Sequence, residues 1–556
     1  MGNSIGDLVI IKKTSMYKTI DIDCKWDVIS SNGSSLWFKG YLLNITTAKV
    51  FNQLLKIFTE RGSPKLAITN FLIELDGHFA FIWQNQDVTL VAVDKICSIP
   101  IYYNNIKNKY VISSNAQRLK DNFSTGLKFD TEALLEVSMS GYTIGRKMLY
   151  QDLYQLTAGE FILFDNYNDI VRDYYYTYLP YELHGRDIEL LSNQFTDVIL
   201  ESLQSVIDLA CDRQIVVPLS AGKDSRLIVS GLKHLGYKNI TCFSYGRKGQ
   251  YEVKTASSVA NKLGVPWYFI ELNHRSQREF FQSSLFKEYL EKYNNLSGSQ
   301  HIQEVSPVYQ LINSGVISKD AIFINGNTGD FISGGHIKQD MMNSTSESAY
   351  SYFLGKHYSL WNQFRSEHND KRIITSLESV LNDRRIEIDF ESFYTAYETL
   401  EYLGRQSKFI PKMMNTFEYF EYDWMMPLWS NAFLNFWEGV PFEYKLEQKL
   451  YNYTILKNNW GNVWKDIPCN NTSIRPLTIL LMRNACKAFF LFSDKKKWKE
   501  FDNKWFMYWY DPAVIMPFID YSQHCFNDDS PRSSLSWASK EFLLANGVSL
   551  DEIRIT

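Results

Sequence analysis

Residues 215 to 226 read Ile-Val-Val-Pro-Leu-Ser-Ala-Gly-Lys-Asp-Ser-Arg. An apolar run rich in β-branched residues, Ile215 to Leu219, halts at small residues, and periodic apolar positions resume at Leu227, Ile228, Leu232 and Leu235. The stretch predicts a buried strand, a tight turn and a helix. A phosphate site is built that way. Ser220, Ala221 and Gly222 let backbone N–H groups approach an anion at the positive end of the new helix, Lys223 and the Ser225 hydroxyl add donors, and Asp224 is suited to hold Mg²⁺. A Walker A loop does not fit, because its first glycine would fall on Val217 and Asp224 follows the lysine.

Outward from this stretch, a helix is expected upstream over 188–210. Downstream the pattern alternates: strand 240–245, helix 252–263, strand 267–272, a long helical region and strand 321–325. Alternation of that kind implies a parallel, doubly wound sheet whose ligands sit at the carboxyl ends of the strands. Two further strand ends are informative: Phe243-Ser244-Tyr245-Gly246, and Gly326-Asn327-Thr328-Gly329-Asp330 followed by Gly334-Gly335. Before residue 165 the chain reads mostly as β, with strands 8–12, 36–43, 79–83, 88–93, 110–113 and 160–164 and helices 47–60 and 131–138. The last 220 residues or so read as mainly helical and rich in aromatics.

The bulk properties narrow the function classes. At 556 residues the chain has room for two or three domains. A net charge of -4, from 58 basic and 62 acidic residues, gives no nucleic-acid footprint. No apolar run is long enough to span a membrane, and the N-terminus has no secretory pattern. Segment 497–521 is aromatic, but its prolines and acids argue for packing rather than a membrane surface. The seven cysteines (24, 97, 211, 242, 469, 486 and 525) form no C-x-x-C pair. A reduced, cytoplasmic protein is the expectation.

The loop at 220–225 resembles the Ser-Gly-Gly-x-Asp-Ser loop of PP-loop ATP pyrophosphatases, with Ala221 in place of the first glycine. Leu75-Asp76-Gly77-His78-Phe79-Ala80-Phe81-Ile82-Trp83, Val93-Asp94-Lys95 and Pro100-Ile101-Tyr102-Tyr103 resemble the glutaminase domain of asparagine synthetases. Gly326 to Asp330 is similar to their second signature, Gly-Glu-Gly-Ser-Asp-Glu. Glu421 to Ser430 and Val440 to Leu446 are similar to their Glu-x-Arg-x-Pro-Phe-Leu-Asp stretch and the segment after it, with Asp423, Met425 and Ser430 where Glu, Arg and Asp are usual. On these motifs the chain is also similar to the versions found in surface-polysaccharide gene clusters.

The resemblance implies an α/β and α+β chain. Residues 1–185 would form an Ntn-hydrolase-like β-rich sandwich and 186–556 a doubly wound PP-loop synthetase domain with a helical C-terminal extension. It implies ATP held by Leu219, Ser220, Ala221, Gly222, Lys223, Asp224, Ser225, Ser244, Tyr245, Gly246 and Gly326, with Mg²⁺ on Asp224 and Asp330. The family's chemistry is amide formation: a carboxylate is activated as an acyl-adenylate, pyrophosphate leaves, and ammonia or an amine displaces AMP. The small-molecule acid and amine are the expected partners, alongside a separate ammonia-supplying protein and a homodimeric assembly, with neither nucleic acid nor membrane.

Three positions depart from the pattern. Gly2 stands where the family's glutaminase has its N-terminal Cys, and Cys24 has no free amine beside it to act as base, so glutaminase activity is not expected. Asn327 stands where the family has a general base, and an amide cannot accept that proton. Tyr453 aligns with the catalytic Lys, and Lys449, one turn earlier, could reach the same side. The catalytic candidates are thus Lys223, Asn327, Lys449 and Tyr453. An ATP-binding regulatory pseudoenzyme is the alternative to the ligase. Sulfur transfer or nucleobase amination is disfavoured by the lack of a cysteine pair.

Overall fold

The computed structural model describes residues 8–555 save for 14–15, 24, 60–63, 107–108, 125, 166–169, 182, 184, 342–344, 388–392, 468–476, 491–494, 511–512 and 527–530. Gly2, Cys24 and Cys469 therefore lie outside the described residues.

Among the described residues the chain is mixed α/β with three sheets. The first has five strands, in the order Leu8–Lys13, Met16–Asp21, Lys109–Ser113, Tyr102–Ile106 and Leu153–Gln155. The second has six, Ile170–Tyr174, Glu160–Asp165, Val88–Val93, Gly77–Gln84, Ser34–Leu42 and Asp27–Ser31, every pair antiparallel. Gly77–Gln84 shows why the sheet is interior: after Gly77 every residue of His-Phe-Ala-Phe-Ile-Trp-Gln is buried, so both faces are covered and no polar alternation survives. Phe58 of helix Thr47–Thr59 stacks on Trp83 at 4.6 Å. Tyr110 of the first sheet meets Phe164 of the second at 5.4 Å.

The third sheet is parallel throughout, in the order Trp267–Glu271, Ile240–Gly246, Ile215–Pro218, Ile322–Ile324 and Asp423–Met425. Its carboxyl ends gather the loops singled out above. Helix Ile188–Ala210 leads into it, begun by Asp187, whose side chain accepts from the Leu190 N–H at 2.7 Å. Asp423–Met425 is a correction: this stretch was read within the helical part, yet it forms the fifth strand, too short at three residues to show a strand period. The long helical region is corrected to three shorter helices, His274–Phe281, Ser284–Lys292 and Val305–Asn313, the first two begun by the side-chain caps Asn273 and Ser283.

One apolar core runs from Ile20 to Ile553 through all three sheets. Polar clamps cross the boundary between the β-rich part and the parallel sheet. The Asn431 N–H donates to Asp76 at 3.0 Å, Lys95 donates to the Asn431 side chain at 2.6 Å, and Lys39 pairs with Glu418 at 2.9 Å.

Candidate active site

The turn after Ile215–Pro218 is held by its own hydroxyls. Ser225 Oγ accepts from the Ser220 N–H at 3.0 Å, and Ser220 Oγ accepts from the Gly222 N–H at 3.0 Å. Helix Asp224–His234 follows with no side-chain cap at its start, which leaves donor-rich, electropositive backbone at the loop. Arg226, fully buried, anchors the loop from behind. It donates to the Ala221 carbonyl at 3.3 Å and to the Val463 and Ile467 carbonyls at 3.2 and 2.7 Å.

The second loop locks onto the first. The Asp330 N–H donates to Asp224 Oδ2 at 3.1 Å. Glycine is required at two positions here. A Cβ on Gly329 would lie 2.3 Å from the Asp224 carboxyl carbon, and one on Gly326 would lie 2.9 Å from the Ser225 nitrogen. Between them Thr328 adopts φ 88°, a left-handed conformation that strains a β-branched residue, and its hydroxyl donates to Gln406 at 3.0 Å.

Asp224 also accepts from the Tyr451 hydroxyl at 2.9 Å. Its carboxyl is pushed up to about 7, first by lost hydration and then by the Asp330 charge, with the Tyr451 hydrogen bond pulling the other way. Two carboxylates so placed suit a divalent cation. Among the described residues no group of three or more His, Cys, Asp or Glu could hold a metal by itself, and Mg²⁺ at nucleotide sites takes one or two carboxylates with phosphate oxygens and water. The donor set fits Mg²⁺.

A cavity of about 290 Å³ opens beside the loops. Of the residues singled out in the sequence, Leu219, Ser220, Gly222, Lys223, Asp224, Ser225, Ser244, Tyr245, Gly326 and Asn327 line it. Ala221, Gly246 and Asp330 do not. Ala221 faces Arg226 with its carbonyl and Glu252 with its N–H, Gly246 ends its strand by accepting from the Leu272 N–H at 2.8 Å, and the Asp330 side chain is largely exposed. Lys223 donates to Gln448 at 2.8 Å. Asn327 donates to the Met413 sulfur at 2.7 Å, and its backbone N–H donates to the Asn325 side chain at 2.9 Å. Sequence reasoning missed Glu252, Gln303, Glu304 and Met413, which also line the cavity. Gln303 and Glu304 both bond the Tyr245 hydroxyl at 2.8 Å.

Two catalytic candidates, Lys449 and Tyr453, lie outside this cluster. Tyr453 points to solvent and donates to Glu189, and the Lys449 ammonium sits 5.0 Å over the Tyr444 ring. The helix Lys449–Asn458 presents Tyr451 to the loop instead, and Gln448 just before it reaches Lys223. The cause is a kink: Glu447 and Gln448 take φ 52° and 58°, which resets the helix's rotation. An acid or amide beside a phosphate loop was the signal available for Glu252 and Gln303; none marked Tyr451.

Residues 52–176 match the model of a glutamine amidotransferase domain. A probable glutamine-hydrolysing asparagine synthetase of Acanthamoeba polyphaga mimivirus is 31% identical over 220 residues, 38% of this chain and 36% of that protein. The match thus spans about a third of the relative's length. Glutamine phosphoribosylpyrophosphate amidotransferase of B. subtilis, complexed with ADP and GMP, is similar over 43% of this chain and 71% of its own at 13% identity, with a TM-score of 0.19. The NH3-dependent NAD synthetase of Campylobacter jejuni, in complex with nitrate, is similar over 40% and 96% at 12% identity, with a TM-score of 0.20. Likenesses at those TM-scores carry no weight for fold or activity. In part of its length, then, this chain is similar to a glutamine amidotransferase domain and to an asparagine synthetase.

Proposed function

We propose that the protein is an ATP-dependent ligase that activates a small-molecule carboxylate as an acyl-adenylate, releases pyrophosphate and joins the acyl group to ammonia or an amine. In this reading residues 186–556 carry the ligase and residues 1–185 a glutaminase-like unit that works without glutamine hydrolysis. Cys97 is no substitute nucleophile, since burial pushes its thiol up to about 12. Nitrogen comes from solution or from a separate ammonia-supplying protein, in the cytoplasm.

The observation that carries the reading is the interlock of two strand-end loops through Asp224, with Gly326 and Gly329 packed flush against it beside a lined cavity. Each residue has a task. The uncapped start of helix Asp224–His234 and Lys223 receive the phosphates, and their donors stabilise charge as pyrophosphate departs. Asp224 and Asp330 would hold Mg²⁺, which screens the phosphate charge. Ser244 and Tyr245, braced by Gln303 and Glu304, flank the nucleoside side. Asn327 orients the nitrogen donor but cannot deprotonate it.

A second reading, a nucleotide-binding regulatory protein without turnover, is favoured by one observation. Lys223, Asp224 and the Ala221 N–H are all engaged by protein groups, namely Gln448, Tyr451 and Glu252. ATP–pyrophosphate exchange across a panel of carboxylic acids tests both. Acid-dependent exchange supports the ligase, whereas saturable ATP binding with no exchange on any acid supports the regulator.

A further inference from the structure

A second cavity, of about 130 Å³, lies between the β-rich part and the segment 407–418, away from the ATP loops. Five lysines line it, Lys25, Lys39, Lys292, Lys408 and Lys412, against two acids, Asp23 and Glu418. Lys39 and Glu418 neutralise each other at 2.9 Å. Lys408 and Lys412 are 4% and 7% exposed. Lys412 donates to the Ser299 carbonyl at 3.0 Å, while the Lys408 ammonium has no hydrogen-bond partner among the described residues.

A buried ammonium left without a partner is costly, and the carboxylates that act on Lys408 are engaged by other groups. Glu136 is paired with Lys147 and accepts from the Ile144 N–H at 2.8 Å. Glu160 accepts from the Thr157 N–H and hydroxyl through Oε2, both at 2.7 Å, and its Oε1 lies 3.5 Å from Arg172. Burial moves the Lys408 amine down to about 8 and lowers that of Lys412 as well. Around the two lysines the cavity offers neutral polar groups: Ser98, Gln155 and Asn295 line it. Cavities of about 150 Å³ hold a molecule the size of benzene, so the occupant has about six heavy atoms or fewer.

We propose that this interface cavity binds a small anion, a short-chain carboxylate or phosphate, through Lys408 and Lys412. The anion supplies the acceptor that the described residues do not give Lys408, and the surplus of lysines favours its charge. This site is separate from the ATP reading and does not depend on it. The two cavities approach each other along the chain, because Met413, next to Lys412, touches Asn327. A test must therefore tell them apart.

The test is the thermal shift and calorimetric titration of the full chain with acetate and with inorganic phosphate, against chloride at equal ionic strength. The parent and Lys223→Met should each be stabilised saturably by one of the two anions, and the anion that acts names the ligand class. Lys408→Met and Lys412→Met should each weaken binding by about tenfold or more. Lys408→Met exchanges an unpartnered ammonium for an apolar chain of similar shape, so it should fold at least as well as the parent. No saturable shift with either anion in the parent overturns the proposal, as does a shift retained in folded Lys408→Met, or one lost only in Lys223→Met.

Discussion

Asp94 and Asp224 each stand just beyond a strand, and each fixes a turn by accepting hydrogen bonds. Asp94 takes its donors from close by: the N–H groups of Ile96 and Ser98, the Ser98 hydroxyl, and the Phe79 N–H on the neighbouring strand. Those partners lie two, four and fifteen residues away. Asp224 takes its donors from 106 and 227 residues away, and it faces a second carboxylate. Burial raises both acids, Asp94 to about 6 and Asp224 to about 7. The difference teaches how to tell a structural acid from a site acid. Asp94 is completed by its own turn, whereas Asp224 is a meeting point of distant segments with charge still to be balanced.

The largest expected effect follows from that contrast. Asp224→Ala and Asp330→Ala should each cut acid-dependent pyrophosphate release by about a hundredfold or more. Stability should stay within roughly 1 kcal/mol of the parent, because lost hydrogen bonds are offset by relief of carboxylate repulsion. Either variant releasing pyrophosphate at the parental rate while folded would break the comparison at its site end.

Asp94→Ala should behave in the opposite way. It strands three backbone N–H donors and a hydroxyl inside the protein, so urea unfolding should show a loss of roughly 3 kcal/mol or more. Any effect on the ATP chemistry should be no larger than the loss of folded protein explains. A well-folded Asp94→Ala with an unchanged urea midpoint would show that the turn does not rest on this acid.

Legibility in the sequence divides along the same line. Where structure is made by neighbours it could be read: strand Val88–Val93, helix Ile188–Ala210 and the turn after Ile215–Pro218 follow from local apolar period and small residues. The polar candidates at strand ends gathered around one cavity because a parallel sheet brings those ends together. Tyr451 and Gln448 could not be read, since which face of their helix turns inward depends on the left-handed pair Glu447 and Gln448. A rotation of about 100° per residue separates the tyrosine that meets Asp224 from the lysine that lies over Tyr444. Likewise Asp423–Met425 becomes a strand only by pairing with Ile322–Ile324.

A subtler difference lies in the pH dependence of stability. The Asp94 carboxyl titrates at about 6 when folded and near its ordinary value of about 4 when unfolded. The folded state therefore holds the extra proton, and the stability linked to this group is full below pH 4 or so and lost as pH rises through about 6. The loss is roughly 3 kcal/mol at most. Glu136 and Glu160 are raised by burial as well and act in the same sense. Asp94→Asn removes only this titration, so the urea stability of the parent relative to the variant should fall steadily as pH rises from 4 to 6. A constant gap would mean that Asp94 is not raised.

The smallest effect separates two tyrosines two positions apart on one helix. The Tyr451 hydroxyl favours the ionised form of Asp224, so Tyr451→Phe should raise that carboxyl further from about 7, by about one unit for a hydrogen bond to a charged group. Protonated Asp224 cannot serve a cation, so kcat/KM for ATP should fall off on the acid side with a midpoint near 7 in the parent and near 8 in Tyr451→Phe. At pH 7 that is a loss of about fivefold, and it should vanish by about pH 9. Tyr453→Phe removes only a bond to Glu189 at the surface, so its profile should overlay the parent at every pH. A uniform loss in Tyr451→Phe, unchanged by pH, would mean that the ring positions the loop without tuning the acid. An acid limb moved by Tyr453→Phe instead would return that residue to the site and overturn the helix rotation described above.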